Sequence, residues 1–339
     1  LHSYQALNYI AQHDLSGALV EVRRANLVQE RALTTYAKSI HSFQERIAEQ
    51  GLHHEKLYRQ YPAMNNTIGN IKNGFQNAFT FYLSALLYEA SGQSNDAYID
   101  YKKALEIIPD NSFLQQDVWR LANALVMSDD ITLLKKSLPE EITNSNIDDS
   151  HQGVVFIIED GIVEAKQEIA INLPIYTSKN NMRFYSVALP SYQNNLATYS
   201  PLRVNYQGIN YQSEELVRLQ SLAAKQLKDE LPSIVTRQII RLIAKEEVRE
   251  QLERKNGDIG NIFASIYNIA SEKADTRSWS TLPDSIQIMR LNLPNGEHQL
   301  NLNINGRDQQ VKVSVMPNKI TLMKLTSIGI NNQYETYNL

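Results

Sequence analysis

The chain predicts an α+β fold, with a helical array in the amino-terminal part followed by a β-rich, sandwich-type domain that carries a helical insertion. Three observations lead there. Apolar residues recur at helical spacing to about residue 127, periodicity lapses over 128–152, and from Ser285 the period changes from 3.6 to 2. The expected divisions are a helical domain over 1–135, a linker over 136–152 and a β-rich domain over 153–339, with the insertion at about 213–277.

Taken in order, residues 3–30 give a helix, a turn at 13–17 and a second helix, on the pattern Ala6, Tyr9, Ile10, then Ala18, Val22, Ala25. The second helix continues through 31–50 along Tyr36, Ile40, Phe43 and Ile47, and Gly51 ends it. Residues 61–74, with Pro62, Asn65, Asn66, Gly69 and Gly74, read as a loop holding one short helical turn. Two helices fill 78–111, joined at Gly92 and closed by Pro109, and a third covers 113–127 with Trp119 on its buried side. Residues 153–174 then read as a strand, a tight turn at Asp160-Gly161 and a second strand, because Asp-Gly is a strong hairpin signal.

Short strands are expected near 184–189 and 202–206, with Gly208 in a turn. Ser213 ahead of Glu214-Glu215 has the chemistry of a helix start. That helix runs to Leu231, where Pro232 kinks it or begins another, striped by Val235, Ile239, Ile243 and Val248 and ended by Lys255-Asn256-Gly257. A third helix of the insertion is expected over 259–274. The segments IQIMRLNL, HQLNLNI, QQVKVSV and KITLMKLTSI, separated by Asn295-Gly296, Asn305-Gly306 and Pro317-Asn318, predict an antiparallel meander with one apolar face.

Composition narrows the function. A chain of 339 residues with 42% hydrophobic and 21% charged residues is ordinary globular material, which excludes disorder. The net charge of −4, with both signs dispersed, leaves no basic stripe for a phosphate backbone, so no nucleic-acid partner is expected. The absence of cysteine excludes disulfides, thiolate metal sites and cysteine nucleophiles. The sequence holds no run of about eighteen apolar residues, and residue 1 begins directly in helical pattern, as in a processed or trimmed product. G-x-S-x-G, H-E-x-x-H, G-x-x-x-x-G-K and G-x-G-x-x-G are all missing, so neither an enzyme nor a cofactor is expected.

A few side chains invite a chemical reading. His53-His54 with Glu55 suggests a metal, but neighbours on a helix face different ways, so a solvated helix end is preferred and no metal site is expected. Glu159-Asp160 could be an acid and base pair, although water-covered turn acids are the simpler reading. Asn65-Asn66-Thr67 fits the N-x-T acceptor pattern, which matters only in a eukaryotic secretory route. Arg237 and Arg241, one turn apart, together with Asp275 and Arg277, could form a buried ion network or an anion site. A structural joint at the return of the insertion, shared with Trp279, is the preferred alternative. Asn301, Asn303 and Asn305 are expected on a sheet edge that could accept a partner's strand.

Laying Ala18 on Ala97 places Ala6, Tyr9 and Ala25 on Ala85, Tyr88 and Ala104, so one skeleton occurs twice. In 78–111 the residues Phe81, Ala85, Tyr88, Gly92, Ala97, Tyr101, Ala104 and Pro109 resemble the tetratricopeptide family, with Ser84 standing where that family has an apolar residue. The resemblance implies that Phe79, Tyr82, Leu86 and Glu89 line a concave groove for a peptide or partner helix, unless neighbouring helices cover it.

The strings ALVEVRRAN, AYIDYKKAL, VVFIIEDGIVEAKQEI and ADTRSWSTLPDSIQIMRLNLPNGEHQLNL resemble a family of bacterial envelope lipoproteins found mainly in proteobacteria. That resemblance implies residence in the periplasm, tied to the outer membrane by a lipid anchor that lies outside this chain, and it supplies no catalytic residues. The expected function is a non-enzymatic scaffold or adaptor binding proteins of an envelope assembly, such as secretion, flagellar or cell-wall machinery. The alternative is a peptidoglycan- or glycan-binding module, or a regulator of a cell-wall enzyme.

Overall fold

Small residues at the helix crossings fix the amino-terminal layer. The computed structural model describes residues 1–50, 61–144, 153–176, 182–256 and 273–339. Helices α1 (His2–Ala11) and α2 (Leu15–Gln50) cross with Ala6 and Ala18 fully buried. α3 (Asn65–Ile68) is the short turn expected in 61–74. α4 (Ala78–Ala90) and α5 (Ser94–Ile107) meet at the fully buried Ala85, Ala97 and Ala104, with Gly92 turning between them at φ +76°. α6 (Ser112–Ala124) is opened by Asn111, whose side chain accepts from Leu114 N at 3.0 Å. The expected Gly51 terminus and His53-His54 fall outside the described residues.

The two helical pairs lie side by side. Asn26 Nδ2, on α2, donates to Ser84 Oγ at 3.1 Å and to Asp100 Oδ2 at 2.6 Å, and Ser84 Oγ donates to the same Asp100 oxygen at 2.6 Å. A buried carboxylate needs such donors, which accounts for a hydroxyl at position 84. Beyond α6 the chain is more ordered than expected. α7 (Ser128–Ser137) and α8 (Glu140–Thr143) occupy the aperiodic stretch and part of the expected linker, and 145–152 lie outside the described residues.

The fold is mixed α+β, with the amino-terminal helices followed by several sheets. β1 (Gly153–Asp160) is central to a five-stranded sheet with β6 (Glu214–Arg218), β7 (Ser285–Leu291), β10 (Ile320–Ile328) and β11 (Asn331–Asn338), in the order β11-β10-β1-β7-β6. It runs parallel to β10 and antiparallel to β7. A second sheet, ordered β5-β4-β8-β9, contains β4 (Arg203–Tyr206), β5 (Ile209–Gln212), β8 (Gly296–Ile304) and β9 (Arg307–Val315). β2 (Gln167–Tyr176) and β3 (Met182–Ser191) form a separate hairpin, which packs on α9 (Leu219–Asn256) through Ile171, Val187 and Leu189 against Leu231, Val235 and Leu242.

Several expectations are corrected here. No hairpin forms at Asp160-Gly161. Both edges of β1 are taken, by β10 and β7, so β2 has no place beside it, and Gly161 N donates instead to Ser327 O at 3.0 Å. The four carboxyl-terminal segments are not one meander. β7 and β10 flank β1 in the first sheet while β8 and β9 pair in the second, with Asn305 and Gly306 turning between them at φ +50° and +79°. Ser213 caps no helix. Its hydroxyl donates to Gln287 Oε1 at 2.6 Å, and residues 214–218 form β6, so α9 begins only at Leu219 and continues through Pro232. β5 and β11 were not expected, and the helix expected over 259–274 lies almost wholly outside the described residues.

Alternation along β1 assigns its two faces. Val155 and Ile157 join one apolar cluster with α1, α2, α4, α5 and α6, whereas Val154, Phe156 and Ile158 join another with Val204, Leu302 and Val313 of the second sheet. The five-stranded sheet is therefore buried on both sides, and the helical layer shares a core with it.

Candidate functional site

The residues expected to line a groove are all buried. Phe79, Tyr82, Leu86 and Glu89 are at most 3% exposed, because α4 lies against the five-stranded sheet. Arg290, on the helix-facing side of β7, bonds Glu89 Oε1 at 2.9 Å and Asp117 Oδ1 at 2.8 Å. Arg120 Nη2 adds a bond to Glu89 Oε1 at 2.7 Å, and Tyr101 donates its hydroxyl to Glu89 Oε2 at 2.9 Å. Burial raises the Asp117 carboxyl against the pull of Arg290 and Arg120. Arg290 is lowered by burial but held well above its usual range by Glu89 and Asp117. Glu89 is thus part of a charged staple between layers, and the face expected to line a groove is covered by this chain's own sheet.

Asn301 and Asn303 are not at an edge. β8 pairs with β4 on one side and β9 on the other, and the true edges of that sheet are β5 and β9. Asn305 sits in the β8–β9 turn and donates to Ser327 Oγ at 3.0 Å. The outer face of the sheet carries two cross-strand polar rows, Gln212–Arg203–Asn303–Asp308 and Asn210–Asn205–Asn301–Gln310, around a shallow depression of about 500 Å³. Its amides bond one another, as in Asn205 Nδ2 to Asn210 Oδ1 at 2.7 Å and Gln310 Nε2 to Asn301 Oδ1 at 3.3 Å.

Glu159 and Asp160 are buried rather than water-covered, and successive strand residues point to opposite faces, so they do not act on one substrate. Glu159 pairs with Lys324 Nζ at 3.0 Å. Asp160 is pushed up by burial, against hydrogen bonds from Asn305, Ser327 and Gly161 N. The folded protein therefore holds this proton more tightly than the unfolded chain does. The group's contribution is most favourable below the ordinary carboxyl range, near pH 4, and is lost as pH rises towards the folded-state pKa. Asp160→Asn keeps an acceptor for the three donors, so its melting temperature relative to the parent should rise between pH 4 and pH 7. A constant difference in thermal denaturation would show that Asp160 does not titrate differently on folding.

Arg277 grips Asp275 at the surface through Nη2 to Oδ2 at 2.7 Å and Nε to Oδ1 at 2.8 Å, which holds the carboxyl well below its usual range. Arg237 and Arg241 do not join that pair. They line a depression of about 250 Å³ between α9, β3 and residues 273–275, together with Lys166, Gln238 and Lys273. Of the expected four-residue network, the structure brings three members to one cavity and leaves Arg277 outside it.

A larger cavity, of about 610 Å³, had no signal in the sequence. It opens between α2, the loop 68–76, α5 and the β6–α9 junction, and its walls include Ile68, Phe81, Ile108, Leu216 and Leu222. Leu33 stands at this cleft, 38% exposed. Charges of both signs surround it: Glu30, Glu106 and Glu215 with Lys72 and Lys103. Burial raises the Glu215 carboxyl, opposed by Arg218, whose Nη1 lies 3.6 Å away. Apolar walls with a few converging polar groups are the usual make-up of a binding site of this volume. Six separate chain segments build it, Phe81 of α4 and Leu196 among them, which is why periodicity and motifs could not disclose it.

Among the described residues, no cluster of three or more His, Asp or Glu is placed to hold a metal, and no helix is long and apolar enough to cross a membrane. No protein-family model, curated protein or solved structure matches the chain at a significant level.

Proposed function

We propose that the protein is a non-enzymatic scaffold or adaptor of the bacterial envelope, which captures an apolar segment of a partner protein in the cleft between α2, α5 and the β6–α9 junction. The observation that carries the reading is the cleft itself: about 610 Å³, apolar in its walls and ringed by charges of both signs, in a helical layer whose other face is closed by the sheet. A segment with one or two large apolar side chains flanked by charges fits such a surface. The helical layer is read as tetratricopeptide-like, with its usual concave groove taken over by the sheet, and the two larger sheets as a sandwich-type pair. Periplasmic residence and an outer-membrane lipid anchor rest on the lipoprotein resemblance described above.

A photo-cross-linking residue in place of Leu33, read by mass spectrometry from intact envelopes, tests this. A discrete protein adduct is expected. In the otherwise unchanged protein, Leu33→Glu should abolish co-purification of that partner while altering stability by less than about 0.5 kcal/mol, since the side chain is half-exposed. The amide rows on the second sheet favour a second reading, because a flat array of paired donors and acceptors suits the hydroxyls of a neutral glycan. An absent Leu33 adduct, together with retention on purified wall fragments, would sink the first reading and move the function to that face.

A further inference from the structure

Helix α9 is buried along Leu231, Val235, Gln238 and Leu242, a spacing of four, three and four that marks one face of a helix. Three of these are aliphatic; the third in order is glutamine. Gln238 is 8% exposed, and its Oε1 is buried with no hydrogen-bond partner. Buried amides are almost always bonded, and one left open beside a cavity calls for something in that cavity. Gln238 lines the depression of about 250 Å³ already described, with Lys166, Arg237, Arg241 and Lys273 around it.

The charge there is unbalanced. Four cations face two carboxylates, Glu230 and Asp275. Asp275 is already held by Arg277, and Glu230 Oε1 accepts from Gln226 Nε2 at 3.0 Å. Nearby, Glu168 Oε2 accepts from Ala274 N at 2.7 Å. Arg237 donates Nε to Ser233 O at 3.3 Å and Lys166 donates Nζ to Arg277 O at 3.3 Å, both to neutral carbonyls. Among the described residues no carboxylate is paired with Arg237, Arg241, Lys166 or Lys273. Asp275 also feels the charge of Lys166, yet four cations against two carboxylates leave an excess of positive charge that an anion would offset.

We propose that this depression binds a small oxyanion of the phosphate type, gripped by Arg237, Arg241 and Lys273, with Lys166 at its side and the Gln238 amide at its floor. The two guanidiniums lie one turn apart on α9 and offer forked N–H donors matched to tetrahedral oxygens. Gln238 can meet the anion with its amide N–H or accept from a protonated oxygen. The depression of about 250 Å³ has ample room for a phosphate group, so the ligand is free phosphate or the phosphate of a lipid headgroup.

The test uses the full chain, with inorganic phosphate as probe, titrated by calorimetry against chloride at matched ionic strength. A parallel arm measures retention on phosphatidylglycerol vesicles against phosphatidylcholine vesicles. Saturable phosphate binding is expected, and the double variant Arg241→Gln/Lys273→Gln should raise Kd about tenfold or more. Gln238→Leu, which suits its buried stripe, should fold and weaken binding several-fold. Retention on the anionic vesicles alone, lost in the same double variant, also supports the site and assigns the phosphate to a lipid headgroup. Binding no stronger than to chloride together with no selective retention would overturn the proposal, as would binding that both variants leave unchanged.

Discussion

Replacing Arg290 with methionine should destabilise the protein by about 3–5 kcal/mol, the loss typical when one partner is removed from a buried ion cluster. Arg290 is 8% exposed at its side chain, and it is the link from β7 to both Glu89 on α4 and Asp117 on α6. Without it, two buried carboxylates share the single guanidinium of Arg120, and Asp117 Oδ2, which already has no partner, loses the charge that compensates for its burial. Denaturant unfolding should show a lower midpoint with an unchanged slope. Adding Asp117→Asn to Arg290→Met should recover part of the loss, because one carboxylate and one guanidinium then remain. Direct neighbours in such a cluster couple by about 0.5–3 kcal/mol. A loss below about 1 kcal/mol for the single variant, or a double variant as unstable as the two losses summed, would mean that the cluster does not join the layers.

Phe156→Ala should cost a similar amount, about 3–5 kcal/mol, through a cavity rather than a stranded charge. Phe156 is fully buried at the middle of β1 and points away from the helices, into the cluster formed with Val204, Leu302 and Val313. Strands hydrogen-bonded on both edges cannot shift readily to fill the space, since β10 and β7 fix the register at Met323 and Met289. Equilibrium unfolding would read the loss directly. A cost under about 1.5 kcal/mol would show that the two sheets do not share a close-packed core. Both losses are large beside the roughly 5–15 kcal/mol of net stability usual for a folded chain.

The sequence by itself determined what is local. Alanine spacing placed the crossings of α1 with α2 and of α4 with α5, period 2 placed β7 to β10, and Asn305-Gly306 placed the β8–β9 turn. These signals are contained within a few turns or residues of chain, so no distant partner is needed to interpret them. Which strand lies beside which was decided by the tertiary structure. A parallel pairing between β1 and β10 joins residues 153–160 to 320–327, and no short-range pattern records a partner that far along the chain. The same cause misplaced the sites. Phe79, Tyr82, Leu86 and Glu89 were expected to share an open helix face, yet the sheet arriving from the other half of the chain closes it. Asn301 and Asn303 were read as edge residues until β4 took the other side of β8. In α9, the expected apolar stripe runs through Val235, Ile239 and Ile243, and Gln238 has no place on it. That it lines a cavity with Arg241 and Lys273 follows only from the packing that brings residues 273–275 back to that helix, because a cavity is a property of surfaces that meet.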